Sequence, residues 1–301
     1  MSFSLGTMTK YADEISFDLM TAAIYQGQSL KHVRIVSGYG DTFKVPVLAN
    51  TITLQNDACN MSSSGVSTIT QVTISPCDLA YVNDLCVKDL REYFTSTYMP
   101  MTMNKSDVLP FEEMFFADIA AGISKKVDTI FWQGDDDLSC TGILDLLINT
   151  AYSSSTISQS SGATGVSVGS IIASVDNLVA AYGYDTIEKD STLWMSPSNY
   201  RKLLIAYKNA NYYNPADINN AEGVFVLGSL NVTARPTAGI TDTALVLAAN
   251  DNLVFGTLND QDHMNITAKY DEYRDLLRIK ASWRQGAQVI FPSQVAILTI
   301  A

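Results

Sequence analysis

Residues Pro110 to Gly134 read PFEEMFFADIAAGISKKVDTIFWQG, and the spacing within this stretch sets how the rest of the chain is arranged. Phe111, Met114, Phe115, Ile119, Ile123, Val127, Ile130 and Phe131 recur mostly at steps of three and four, which places them on one face of a helix. Both ends are punctuated. Pro110 suits the first helical position, Glu112 and Glu113 complement the positive N-terminal end, Lys125 and Lys126 lie toward the other end, and Gly134 can adopt the left-handed terminating conformation. At 1.5 Å per residue the helix is roughly 36 Å long, enough to serve as a spine.

Around this spine, 301 residues with 47% hydrophobic content can bury a large core, as one domain or two interleaved ones. The net charge of -12 argues against direct recognition of nucleic acid or of anionic membranes, which needs clustered Lys and Arg. The first residues, MSFSLGTMTKYADEISFDLM, carry neither a secretory signal nor a spanning helix, so synthesis in the cytoplasm and no membrane association are expected. Cys59, Cys77, Cys86 and Cys140 contain no CxxC pair, and read as buried free thiols with neither a disulfide framework nor a structural zinc site.

Ahead of the spine, residues 1–28 read as a polar arm ordered by neighbours, with a helix around Ala12 to Tyr25. His32 to Val36 alternates as a strand. Phe43 to Leu54 and Val66 to Ile74 are rich in Val, Ile and Thr, and the intervening DACNMSSSG supplies a hairpin tip. No Lys or Arg occurs from Val45 through Val87. Such a two-stranded finger is marginal alone in water, so it needs a second surface. Asp78 to Tyr98 spaces Leu79, Val82, Leu85, Cys86, Leu90 and Tyr93 as a helix does.

Beyond the spine, Ser153 to Gly169 is a Ser/Thr/Gly run read as an exposed loop. Ser170 to Tyr182 is an amphipathic helix and Thr192 to Met195 a short buried strand. Ser196 and Pro197 open a further helix with Tyr200, Leu203, Leu204 and Tyr207 on its buried face. Strands follow at Val224 to Val226, Asn231 to Ala234, Ala244 to Ala248 and Leu253 to Phe255, and Asn265 to Ile300 is mostly extended with a corner at Pro292.

Chemistry-bearing patterns are sparse. Gly165-Val-Ser-Val-Gly169 matches the GxSxG turn that exposes a nucleophilic serine, with His263 downstream in a permitted order, but the preceding SSSTISQSSGAT is no buried strand. Asp135, Asp136 and Asp137 offer oxygen ligands for a hard cation, yet no EF-hand spacing accompanies them and they read as a solvated turn. His32 and His263 are the only histidines and have no ligand partner at helical or turn spacing. The Tyr-rich Tyr207 to Tyr213 lacks the basic groove of a nucleic-acid platform and reads as packing or subunit contact. No catalytic, cofactor or metal residue is assigned.

The order of elements, arm, long hairpin, helical connection, spine, mixed domain, resembles the tailed-bacteriophage major capsid protein of the Hong Kong 97 type, from about His32 to Ile300. FWQGDDD followed by TGILDLL is similar to the end of that family's spine helix, and LWMSPSNYRKLLIAYKNANYY to its strand, Ser-Pro and helix. VLGSLNVTARP is similar to its Gly-x-Pro strand without the proline, and DEYRDLLRIKASWRQGAQVIFPSQVAIL to its long strand and return. The resemblance implies an α+β capsid fold: an N-terminal arm and first strand at 1–37, an extended loop at 38–76, a peripheral domain at 77–135 with 256–290, and an axial domain at 136–255 with 291–301. It also implies a virion protein, made in the host cytoplasm and self-assembling as pentamers and hexamers into an icosahedral shell around double-stranded DNA, with no enzymatic activity and no cofactor. A separate scaffolding protein or a processed precursor, a portal and decoration proteins are implied partners. Packaged DNA would be enclosed without sequence-specific binding.

Intersubunit contacts are then expected at Lys44, Leu54, Gln55, Cys59, Val66, Ile69 and Val72 on the finger, and at Asp260 and His263 near threefold contacts. Some family members weld subunits through a lysine on the extended loop. Lys44 lies at the base of this one, so no such crosslink is expected. The alternatives are an encapsulin-like compartment of the same fold, a serine hydrolase using Ser167, and a phage tail or decoration protein.

Overall fold

The computed structural model describes residues 5–38, 42–51, 65–98, 111–150, 158–163, 166–182, 190–210, 224–225, 231–258 and 265–300. The spine is helix α3, Phe111–Gln133, preceded in the chain by α1 (Leu5–Tyr25) and α2 (Val87–Tyr93). It ends where expected, at Gly134, whose φ of +72° no β-carbon tolerates readily. More of its circumference is buried than one stripe. Phe116 and Trp132, off the apolar face read from spacing, are fully covered. The reason is that α1 packs along one flank, with Tyr11 stacked on Phe116 at 5.9 Å, while Trp132 meets Trp194 at 5.6 Å on another.

Two sheets flank the spine. One contains β1 (Arg34–Gly38), β10 (Leu253–Leu258), β12 (Leu276–Val289) and β11 (Asn265–Asp271), with β4 (Cys77–Cys86) also paired along β12. The other is six-stranded, in the order β5 (Ser158–Ala163), β13 (Val295–Ile300), β9 (Ala244–Ala249), β6 (Ser191–Met195), β8 (Val232–Pro236), β7 (Val224–Phe225). Strands β6 and β9 are buried at every residue because both faces are covered. Leu193, Met195, Leu245 and Leu247 pack under α4 (Ile171–Tyr182) and α5 (Pro197–Asn209), while Trp194, Val246 and Ala248 join the spine's core. Ser196 caps α5 by accepting from the Asn199 N–H at 3.2 Å, and Leu203 and Tyr207 are buried with Tyr200 and Leu204 packed beside them. Tyr207 is thus packing, while Tyr212 and Tyr213 lie outside the described residues.

Several expectations are corrected. The first residues are not an arm waiting for neighbours: Met8, Met20, Ala23 and Ile24 are buried against the chain's own spine and sheet, which orders α1 from residue 5. Asp78 to Cys86 is strand, not helix. Its ladder with β12 runs from Cys77↔Gln285 to Cys86↔Leu276 and turns Leu79 inward, so tertiary pairing overrides a helix-compatible spacing. Only Val87 onward is helical. Within the run expected to be loop, Ser158–Ala163 adds to the sheet edge, parallel to β13, because backbone pairing does not need apolar side chains. The expected domain border between residues 255 and 256 falls inside β10.

Cysteine usage is also corrected. Cys77 and Cys140 form a disulfide across 63 residues, with their Cα atoms 5.4 Å apart. Cys86 is the free cysteine among the described residues, and Cys59 lies outside them. Spacing could not reveal the pair because it depends on β4 lying beside the turn that follows α3. Closing so long a loop restricts the unfolded chain, so a Cys140→Ser variant is expected to lose about 3 kcal/mol of stability. Urea midpoints of the oxidised parent and the variant measure this, and prior reduction of the parent should abolish the difference.

Candidate assembly interface

The finger is a separate two-stranded sheet, β2 (Phe43–Thr51) against β3 (Val66–Ile74), with partners running from Phe43↔Ile74 to Thr51↔Val66. Directly opposed residues share a face. One face therefore carries Phe43, Val45, Val47, Val72 and Ile74, and near the finger's far end Val66. The other carries Lys44, Pro46, Leu48, Ile69, Gln71 and Thr73. The root of the first face is covered by the chain itself: Phe43, Val45, Val47 and Ile74 are buried against Val254, Leu258 and Ile290. The rest is not. Val66 on that face is 60% exposed, and on the other face Leu48 is 58% exposed and its cross-strand partner Ile69 76%.

Four of the expected contact residues can thus be placed. Lys44 and Ile69 stand exposed on the outer face, Val66 is exposed on the inner face, and Val72, closer to the root, is half-buried. Leu54, Gln55, Cys59, Asp260 and His263 lie outside the described residues. Leu48, opposite Ile69, completes an apolar pair that was not singled out from sequence, although its place in the alternation was legible.

The finger's seat was also missed. Gly256 and Gly286 are direct partners on β10 and β12, and a β-carbon on either would come within 2.8 Å of Phe43 or Ile74, themselves partners at the finger's root. Two adjacent glycines thus open a notch in the sheet that receives a pair of large side chains. The Gln288 amide adds a hydrogen bond to the Thr73 carbonyl at 3.2 Å. The signal was present: an isolated glycine inside a strand pattern, as in VFGTL and WRQGAQV, marks a close approach. Filling the notch in a Gly286→Val variant is expected to cost about 1–3 kcal/mol and to loosen the finger, seen as a lower denaturant midpoint and faster proteolytic cleavage within residues 42–74.

A buried polar joint fixes the spine relative to its surroundings. The Asp128 carboxylate accepts from the Thr237 hydroxyl at 2.7 Å and the Ser29 N–H at 3.3 Å, and the Trp132 indole N–H donates to the Ser29 hydroxyl at 2.7 Å. This joins the segment after α1, the spine and the loop after β8.

Of the chemistry-bearing patterns, Ser167 sits in a turn whose Oγ pairs with Ser170 Oγ at 3.1 Å, while His32 accepts from Arg235 at 2.7 Å beside Trp194; His263 is outside the described residues. Asp135 Oδ1 accepts from the Asp137 N–H at 3.1 Å and the Leu138 N–H at 3.4 Å, so that carboxylate holds its own turn. No group of three metal-ligating side chains occurs among the described residues, and no helix there is long and apolar enough to cross a membrane.

Comparison with solved structures is decisive for the fold. The chain superposes on the satellite phage P4 procapsid that includes size determination (Sid) protein, with a TM-score of 0.63 at 13% identity, over 99% of this chain and 91% of that one. This is the phage capsid fold of the Hong Kong 97 type. The capsid of an empty GTA particle gives a TM-score of 0.60 at 15% identity, over 93% and 90% of the two chains. A virus-like particle from Pyrococcus furiosus gives 0.55 at 12%, over 96% and 99%. By sequence, no protein-family model and no curated protein matches the chain. In this capsid fold both helices and sheets are spread along the described residues, as an α+β reading requires.

Proposed function

We propose that this chain is a major capsid protein that assembles with many copies of itself, as pentamers and hexamers, into the icosahedral shell of a double-stranded DNA phage. The observation that carries this reading is the finger: Leu48, Val66 and Ile69 stay in water on a chain of which 99% is covered by the match to a capsid structure. A charge-poor β-finger left uncovered invites aggregation, and burying it on another copy removes that hazard while adding contact area.

In this reading the five-strand sheet, α1 and the spine make the peripheral domain, and the six-stranded sheet with α4 and α5 the axial domain. The border is best drawn before β10. The chain is a structural protein of the virion, assembled in the host cytoplasm with a scaffolding protein, a portal and decoration proteins as partners, and the net charge of -12 keeps the wall from adhering to packaged DNA. It has no catalytic role, Ser167 being a turn residue bonded to Ser170. A second reading, a protein compartment of the same fold enclosing enzymes, is favoured by the likeness to the Pyrococcus furiosus particle.

Electron microscopy of the purified chain, alone and with a candidate scaffolding protein, tests the proposal. Closed icosahedral particles are expected, and a monodisperse monomer under every assembly condition would refute it. Particles purified from infected or induced cells should hold double-stranded DNA; enzyme cargo in its place selects the compartment.

A further inference from the structure

The Cys77–Cys140 bond sits at a mechanical junction. Cys77 opens β4 just after Ile74, whose side chain fills the glycine notch under the finger, and Cys140 closes the turn that carries the chain out of the spine. The bond therefore ties the finger's root and the five-strand sheet to the end of α3. The sulfurs themselves are placed in a telling way. Cys77 Sγ lies 3.3 Å from the Gln285 carbonyl oxygen and Cys140 Sγ 3.6 Å from that of Leu138, so each sulfur, when protonated, has an acceptor already in place. A crevice of about 10 Å³, room for about one water, lies against the pair, with the exposed residues Ser75 and Thr141 among its walls. Cys77 is half-buried there, whereas Cys140 is buried.

We propose that this pair is a redox-closed staple: two thiols while the chain folds and assembles in a reducing cytoplasm, and a disulfide once the finished particle meets an oxidising exterior. The staple rests on the reading of the chain as the wall of a particle that is built inside a cell and then leaves it. Cytoplasmic glutathione and thioredoxin keep thiols reduced, and lasting disulfides are rare there. The fold accommodates both states. With a carbonyl facing each sulfur, the dithiol leaves no donor unsatisfied. The two cysteines are also brought together without the bond, Cys77 by the ladder of β4 along β12 and Cys140 by its paired backbone bonds to Asp135.

Closure is thiol–disulfide exchange with a small disulfide as the oxidant. The Cys77 sulfur, the more accessible of the two, attacks as its thiolate one sulfur of the small disulfide, which forms a mixed disulfide and releases one small thiol. The Cys140 thiol gives up its proton, attacks Cys77 Sγ and expels the second small thiol. Two protein thiols have then lost two electrons and two protons, and one small disulfide has become two thiols. The staple acts on the completed shell, where it opposes separation of the sheet from the end of the spine, and leaves assembly itself untouched.

Trapping the thiols supplies the test. Cells making the protein are quenched in acid, the chain is denatured in an alkylating reagent, and its peptides are weighed by mass spectrometry. Alkyl groups are expected on both Cys77 and Cys140 from the cytoplasm, and a linked pair without them after purified particles are incubated with oxidised glutathione. Reduced parent chain should assemble in full yield, and oxidised particles should outlast reduced ones in urea by about tenfold or more in half-life. Particles of a Cys77→Ser, Cys140→Ser double variant should match the reduced parent and gain nothing from the oxidant. A pair already linked in the cytoplasm, thiols that oxidised glutathione leaves free, reduced chain that cannot assemble where oxidised chain does, or a gain that persists in the serine variant would each overturn the staple. The thiol state is read on subunits as well as on particles, so a chain that forms no particles in either state fails the shell reading while the staple is still decided on the subunit.

Discussion

A Leu48→Ser, Ile69→Asp double variant yields a folded, soluble subunit that no longer closes into particles. The two side chains oppose each other on the finger's outer face and are 58% and 76% exposed, so the isolated subunit loses little by their replacement. In the assembly each would be covered, and burying an aliphatic side chain of this size contributes about 1.5–3 kcal/mol. Losing both weakens every finger contact by at least about 100-fold, since 1.4 kcal/mol corresponds to a factor of ten. A shell repeats that loss at every copy. Aspartate at only one position avoids setting like charges across the hairpin. Light scattering after size-exclusion chromatography should show subunits or small oligomers in place of particles, with the thermal midpoint of the subunit moved by no more than a few degrees. Normal particle yield would remove the finger from the interface.

The largest effect on folding is expected from Gly142→Ala. After the spine, the chain reverses through Asp135 to Cys140, held by paired backbone bonds between those two residues at 2.8 and 2.9 Å, and Gly142 comes back against the helix end. A β-carbon at position 142 would overlap the Gly134 nitrogen and the Gln133 carbonyl carbon and lie 2.7 Å from the Trp132 carbonyl oxygen. All three are backbone atoms, so nothing there can rotate aside. Relief would require moving the end of α3 or the Cys140 segment, and the latter is tied to Cys77 by the disulfide. A loss of about 5 kcal/mol, in the range reserved for severe packing clashes, is expected from chemical denaturation, enough to leave much of the protein insoluble on expression. Gly122→Ala is the control: the same change is made within α3 itself, where a β-carbon meets nothing within 4 Å, and helix propensity favours alanine.

The elements that could be read from sequence are those whose pattern is written locally. The spine's period and its terminal glycine, the Ser196-Pro197 start of α5 and the alternation of the finger strands depend on residues a few positions apart, where backbone geometry alone sets which side chains share a face. Tertiary structure decided what depends on a distant partner. Whether Asp78 to Cys86 became strand or helix was settled by β12, two hundred residues away in the chain, and the polar Ser158–Ala163 became a strand because β13 presented an edge. The same holds for the Cys77–Cys140 bond and for the glycine notch under Phe43 and Ile74. Composition marked the finger as charge-poor, but only the packed chain showed which of its residues the molecule covers and which it leaves in water, because burial is a property of neighbours brought together by the fold and not of the residue itself.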